Sequence, residues 1–249
     1  MMEKELEKRI EELAERCERT SCVTATGFLT MAEQMEVKTW ASHRPDVKLY
    51  LDGGNTACER KAAFFLPYYM EAEDLDAAEY IHAVKVTAYF GQPSHRDYMG
   101  AALGLGIRRE WIGDFWVRED TAYIFCLPTV EQLLTDELTK VGRISVKAAP
   151  CPLEDVPAPE RKVKSMTFTV KSLRLDAVAG NMFRVSRTVA ADLIRAGAAS
   201  LNYVTCLHVD APINQGDVIS LRGHGKGAVV KIGDKSRKDR TFIEAEIYL

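Results

Sequence analysis

Ser172-Leu-Arg-Leu-Asp176, Phe183-Arg-Val-Ser-Arg187, Ala191-Asp-Leu-Ile-Arg-Ala-Gly197 and Asn214-Gln-Gly-Asp-Val-Ile-Ser-Leu-Arg-Gly223 follow one another in the last third of the chain. Leu173, Leu175 and Val178 suit a short helix from about Arg174 to Asn181. Ser186 is a helix N-cap residue, and Gly197 is a C-terminal stop, so a second helix is predicted from Arg187 to Ala196. Its buried stripe would be Val189, Ala190, Leu193 and Ile194. Arg187, Ala191 and Arg195 then share another face. At 1.5 Å rise per residue the two guanidiniums lie about 12 Å apart. Arg184 adds a third cation, and the small Ala191 would let a backbone come close. Arginine's planar fork suits successive phosphates. Short strands follow at 201–206, 217–222, 228–232 and 241–248, predicting a curled antiparallel sheet. Arg222, His224 and Lys226 alternate with Gly223, Gly225 and Gly227, which reads as a flexible basic loop.

Charge sharpens this reading. Residues 161–249 hold 15 Lys/Arg against 8 Asp/Glu, a net of +7, whereas residues 1–160 hold 18 against 28, a net of −10. The overall −3 conceals this polarity. A basic end on an acidic body implies a polyanionic partner met by that end. The 249 residues suit two or three domains, and 47% hydrophobic content is enough for real cores. No apolar run approaches the roughly 18 residues of a membrane span, and the charged N-terminus reads as a helix start rather than a signal peptide. Six cysteines (17, 22, 58, 126, 151, 206) include no Cys-x-x-Cys pair. They are expected to be reduced thiols of a cytoplasmic protein.

The N-terminal part predicts an amphipathic helix over 3–19, from Leu6, Ile10, Leu13 and Cys17. Thr30 and Glu33 predict a capping box opening a second helix to about Trp40. Residues 47–51 read as a strand, Asp52–Asn55 as a turn, and Ala57–Phe65 as a helix stopped before Pro67. Residues 1–75 are therefore expected to form an α/β domain. Residues 76–150 read as strand (80–90), helix from an N-cap at Ser94 to Gly104 or Gly106, strands at 111–118 and 121–127, helix at 128–140 with Leu133, Leu134 and Leu138 on one face, and strand at 142–147. That β-α-β-β-α-β order is the ferredoxin-like pattern that RNA-recognition folds also use. Prolines 150, 152, 157 and 159 mark a semi-stiff linker within 148–165. The expected class is α+β, with domains at 1–75, 76–150 and 166–249 and the linker at 151–165.

His95, Arg96 and Asp97 begin the first central helix, and Arg108 and Arg109 follow its end. One reading has Arg96, Arg108 and Arg109 contacting phosphate with help from His95. The other has Asp97 capping the helix and the rest solvated. No catalytic set emerges. Gly53-Gly54 lacks the Lys-Ser/Thr of a phosphate loop, no Gly-x-Ser-x-Gly elbow exists, and the histidines (43, 82, 95, 208, 224) show no metal-binding spacing. Neither enzyme chemistry, metal nor cofactor is expected.

The C-terminal runs resemble the S-four domain, an RNA-binding unit named for a small-subunit ribosomal protein. The resemblance implies that Arg174, Arg184, Ser186, Arg187 and Arg195 face RNA, with Asn202 near it; the basic loop of Arg222, His224 and Lys226, read from the residues themselves, is expected to bind RNA beside them. The family's usual Val-x-Val-Asn-Gly is here Ala199-Ser-Leu-Asn-Tyr203, which removes the turn glycine. Further runs resemble the YlmH family: Phe90–Asp114, Phe28-Leu-Thr30, Glu33-Gln34 and Gly53–Lys61. Met31 stands where that family commonly has proline, and Lys226-Gly227 where it has arginine and an aromatic. This wider resemblance covers essentially the whole chain. It implies a central RNA-recognition-like domain, a C-terminal S-four domain and an RqcP-like role on stalled large ribosomal subunits. The partner it implies is ribosomal RNA, with tRNA a second candidate, and the chain is expected to be monomeric. It also implies an association with cell division. The rival readings are an RNA-modifying enzyme whose residues 1–150 are catalytic, and a protein-interaction factor of the division machinery.

Overall fold

In the computed structural model, which describes residues 4–159, 163–235 and 239–248, the chain forms two compact units, Met1–Pro159 and Glu160–Leu249. The structure is mixed α/β with separate sheets.

Unit 1 opens with helix α1 (Lys4–Thr20), strand β1 (Thr24–Leu29), helix α2 (Met31–Ser42), and strands β2 (Lys48–Asp52) and β3 (Lys61–Leu66). The Thr30–Glu33 capping box forms as the spacing predicts. Ile10, Leu13 and Cys17 bury the inner stripe of α1. The three strands are antiparallel in the order β1-β3-β2. Residues 57–65, expected as helix, instead lead into β3, the middle strand. Its run Ala62-Ala-Phe-Phe-Leu66 is buried on both faces. Ala63 and Phe65 pack with the two helices, whereas Ala62, Phe64 and Leu66 pack towards the next sheet. A short apolar run has no periodicity to betray its type; burial from two sides selects strand. The sequence reading also passed over β1, which pairs with β3.

The second half of unit 1 comprises β4 (His82–Ala88), α3 (His95–Gly104), β5 (Ile112–Arg118), β6 (Thr121–Cys126), α4 (Pro128–Glu137), β7 (Lys140–Val141) and β8 (Ile144–Cys151). The antiparallel sheet runs β5-β6-β4-β8-β7. Of the expected helical stripe at 128–140, Leu134 and Leu138 are buried but Leu133 is exposed. Strand β8 extends past the expected 147 to Cys151, with Pro150 opposite Val84.

Unit 2 comprises β9 (Val163–Val170), α5 (Leu175–Met182), α6 (Arg187–Arg195), β10 (Ala199–Leu201), β11 (Val204–Thr205), β12 (Val218–Leu221), β13 (Gly225–Lys235) and β14 (Thr241–Tyr248). Its sheet runs β11-β10-β12-β13-β14-β9. Strand β9, unforeseen because it overlaps the expected linker, pairs with β14 along its whole length. The α6 stripe shifts by one position: Ala190, Ala191 and Ile194 are buried, and Val189 is 45% exposed. Ala191 therefore packs into the core and is not a landing place for a backbone. The glycine-rich run is no flexible loop either. Leu221 pairs with Gly225, so only Arg222-Gly-His224 turns the β12–β13 hairpin. Gly223 sits at φ +82°, and a Cβ on Gly227 would lie 2.6 Å from the Glu246 carbonyl oxygen. Arg237 and Lys238, which with Lys231, Lys235 and Arg240 make a basic run in the sequence, lie outside the described residues.

Candidate nucleic-acid interface

The arginines of unit 2 are organised by one acid. Asp176 enters in the first turn of α5, and its side chain is only 6% exposed. Arg187 donates from Nε to Asp176 Oδ2 at 2.9 Å. Arg174 donates from Nε to Oδ1 at 3.2 Å and from a terminal nitrogen to Oδ2 at 3.3 Å. Burial pushes this carboxyl upward, but the bonds from Arg187 and Arg174 outweigh it and hold the group below the usual carboxylate range. Two guanidiniums thus share one negative charge and keep a net positive one. The side chains remain 56% and 38% exposed for Arg187 and Arg174. A buried carboxylate that fixes guanidiniums at the surface acts as a positioning device.

Arg184 is exposed and takes φ +56°, at the bend between the helices. The Ser186 hydroxyl accepts from the Val189 amide at 3.2 Å and caps α6, so its oxygen is engaged in the helix end. Arg195 is exposed and pairs with Asp192 at 3.0 Å. A surface pair of this kind holds its partners weakly and can yield to a phosphate.

Asn202 behaves differently from the expectation. It and Tyr203 both take positive φ, 49° and 68°, and together turn the β10–β11 hairpin without a glycine. The Asn202 side chain donates to Asp217 Oδ1 at 2.9 Å and accepts from the Val218 amide at 2.9 Å. Its amide is committed inward and serves the fold. Tyr203 supplies a flat surface under Lys226, whose Nζ lies 4.5 Å from that ring and 5.6 Å from the Tyr248 ring. Arg222 and His224 stand exposed at the neighbouring turn. One cation, Lys171, escaped the sequence reading. A hollow of about 360 Å³ is lined by Lys171, Arg187 and Arg240 among others. Positions this far apart in sequence carry no spacing signal; only strand pairing brings them together.

The central residues divide. Ser94 and Asp97 form a reciprocal cap, with Asp97 Oδ2 accepting from the Ser94 hydroxyl at 2.6 Å and the Ser94 amide at 2.8 Å. These bonds draw the Asp97 carboxyl down. His95 and Arg96 are exposed, and the His95 ring meets Phe115 edge-on at 5.7 Å. Arg108 is exposed over Trp111 at 5.3 Å and lies 3.7 Å from Glu110. Arg109 turns inward, contrary to the phosphate-contact reading. It donates to the carbonyls of Ile112 at 2.6 Å and Gly113 at 3.1 Å. Burial, followed by the nearby Arg60, pushes its guanidinium down to about 10.

The remaining sequence runs singled out above meet in one internal bracket. Arg60 donates to the Phe28 carbonyl at 2.6 Å. Gln34 donates to the carbonyls of Leu29 at 3.1 Å and Glu59 at 2.8 Å. Asp114 accepts from the amides of Glu59 and Arg60. A Cβ on Gly113 would lie 2.7 Å from the Phe28 ring. These residues join the two sheets of unit 1.

Known proteins resemble this chain in sequence and in fold. Residues 73–155, the five-stranded half of unit 1, match the family model described as "Putative RNA-binding domain in YlmH". A solved structure titled cell division protein ylmH from Streptococcus pneumoniae shares the fold, with a TM-score of 0.54 at 20% identity over 62% of this chain and 95% of that one. The ribosome-associated protein quality control protein P2 of Bacillus subtilis strain 168 is 30% identical over 221 residues, 89% of this chain and 86% of the relative. With that identity spread across both units, the chain belongs to the YlmH family.

Proposed function

We propose that this protein is a non-catalytic RNA-binding factor that binds ribosomal RNA of the large subunit and acts in ribosome-associated quality control or translation. The observation that carries the reading is the Asp176 anchor, which holds Arg174 and Arg187 at the surface of a unit with net positive charge. Arg184 and Arg195 flank this pair on the same helix-turn-helix. The name of the Bacillus subtilis relative supports the ribosomal setting. The reading assigns unit 2 to the S-four class. It assigns the five-stranded half of unit 1 to the ferredoxin-like class, because strands β5-β6-β4-β8 follow its β-α-β-β-α-β order.

The proposed domains are 1–75, 76–150 and a C-terminal domain that starts with β9 at Val163 instead of 166, while Cys151 and Val156 of the expected linker pack within unit 1. The proposed state is a cytoplasmic monomer without cofactor. Two modest RNA sites on one chain would raise avidity without new contacts, and tRNA is a natural second ligand beside ribosomal RNA. Co-sedimentation with large subunits tests the reading: Arg187→Ala/Arg195→Ala should leave the pellet at moderate salt, and wild-type pelleting by that variant would remove the arginine face from the mechanism. Sequencing or mass analysis of cellular RNA from a deletion strain addresses the enzyme alternative, since a lost modification would replace the present reading.

A further inference from the structure

The N-terminal part of unit 1 holds a cavity of about 680 Å³ where α1 passes the α2–β2 connection and the end of β3. Ala14, Cys17, Phe65, Leu66 and Pro67 supply its apolar lining. Glu11, Glu15 and Glu18 come from one side of α1, at helical spacings of four and three, and Asp46 joins them from the loop before β2. Four carboxylates therefore share one cavity with two cations, Arg44 and Lys48.

Both cations are already held by the chain. Arg44 pairs with Glu11 at 3.0 Å, and its guanidinium lies over the Trp40 ring at 4.1 Å. Lys48 pairs with Glu71 at 2.6 Å and donates to the carbonyls of Tyr68 at 2.9 Å and Met70 at 3.0 Å. Among the described residues, no lysine or arginine pairs with Glu15, Glu18 or Asp46, and all three acids are exposed. Trp40 lines the same cavity and is only 7% exposed, and its indole Nε1 has no acceptor among the described residues. Tyr68, 82% exposed, completes the lining.

We propose that this cavity docks a basic polypeptide segment of a partner protein, in which Lys or Arg residues flank apolar ones. Arg44 displays the chemistry within the chain itself: a guanidinium is accommodated between an aromatic face and a carboxylate. An incoming cation finds the Tyr68 ring and the three unpaired carboxylates, and an apolar side chain finds the floor of Phe65, Leu66 and Pro67. A polypeptide also brings backbone carbonyls, which a polyamine does not, and Trp40 Nε1 lacks an acceptor. Strand β2 favours an extended occupant. It is an edge strand, paired with β3 alone, and its first residue, Lys48, lines the cavity. The net −10 of residues 1–160 draws a basic chain and repels nucleic acid from this surface. The inference is separate from the RNA-binding reading, whose Asp176 anchor lies in unit 2.

The test uses the full chain and the fluorescein-labelled peptide Gly-Leu-Arg-Lys-Leu-Arg-Lys-Leu-Gly, with binding read by fluorescence anisotropy. Glu15→Gln/Glu18→Gln/Asp46→Asn changes only exposed side chains. It should keep its melting temperature and lose about tenfold or more in peptide affinity. Glu5→Gln/Glu12→Gln/Glu137→Gln removes the same charge outside the cavity and should stay within about twofold. The peptide with serine in place of leucine should bind about fivefold or more weakly. Equal loss in the two triple variants, or equal binding of the serine peptide, would reduce the interaction to diffuse charge attraction and overturn the proposal. Displacement of the peptide by an equal concentration of spermidine would overturn the polypeptide assignment, and so would absence of peptide binding by the full chain.

Discussion

The Arg187 Nε donates to the buried Asp176 Oδ2 at 2.9 Å, so the guanidinium assigned to RNA is held by an acid inside its own unit. The pairing is a partial neutralisation. It is not complete, because Arg174 shares the same carboxylate and both arginines keep solvent-facing surface. The anchor trades some net charge for fixed direction.

Charge and direction make opposite predictions for Asp176→Asn. Removing a negative charge alone should tighten RNA binding. Loss of the anchor should loosen the two arginines and weaken it. We expect weaker large-subunit binding together with a stability loss of about 1–2 kcal/mol, at the low end for a buried charged hydrogen bond because the arginines can rehydrate. Filter binding and thermal denaturation of the same preparation check both.

The same carboxylate sets an acid limit. Its pKa in the folded chain lies below the unfolded value near 3.9. Its stabilising contribution is therefore whole above that unfolded value and drains away as pH falls through the folded one. The melting-temperature gap between wild type and Asp176→Asn should close as pH is lowered through this window; a gap that widens there would contradict the assignment.

Arg187→Ala/Arg195→Ala should lower affinity across RNA sequences without preference. Each lost phosphate contact removes roughly 0.7–0.9 from the slope of log affinity against log salt, so the double variant should lose about 1.4–1.8. Titrations at several salt concentrations measure the slope directly.

Arg109 and Arg96 should part company. Arg109→Ala strips donors from the Ile112 and Gly113 carbonyls and is expected to lower the stability of unit 1 by about 1–3 kcal/mol. Arg96→Ala, at an exposed position, should stay within about 0.5 kcal/mol. Chemical denaturation followed by tryptophan fluorescence separates the two.

The hairpin turn offers a test in the stabilising direction. Tyr203 holds φ +68°, a conformation that glycine takes without steric cost. Tyr203→Gly should relieve strain of about 1 kcal/mol while removing the ring beneath Lys226. Stability that holds or rises, with weaker RNA binding, would assign the ring to recognition; unchanged binding would leave it a turn residue.

Local chemistry made much of this protein legible. Helix caps at Thr30, Ser94 and Ser186 and the inner stripe of α1 were readable because each depends on residues within one or two turns of each other. The β-α-β-β-α-β order of the central half and the arginine-rich helix pair were readable for the same reason. The misses share the opposite cause. Residues 61–66 became a strand because two sheets bury them from both sides, and β9 was hidden because its partner lies at the far end of the chain. Arg109 turned inward because the fold puts carbonyls within its reach. Composition and short-range spacing therefore determined the capped helices, the element order of the central half and the sign of the charge at each end. Only the tertiary structure decided which cations face solvent, since burial and long-range pairing depend on residues that no local pattern connects.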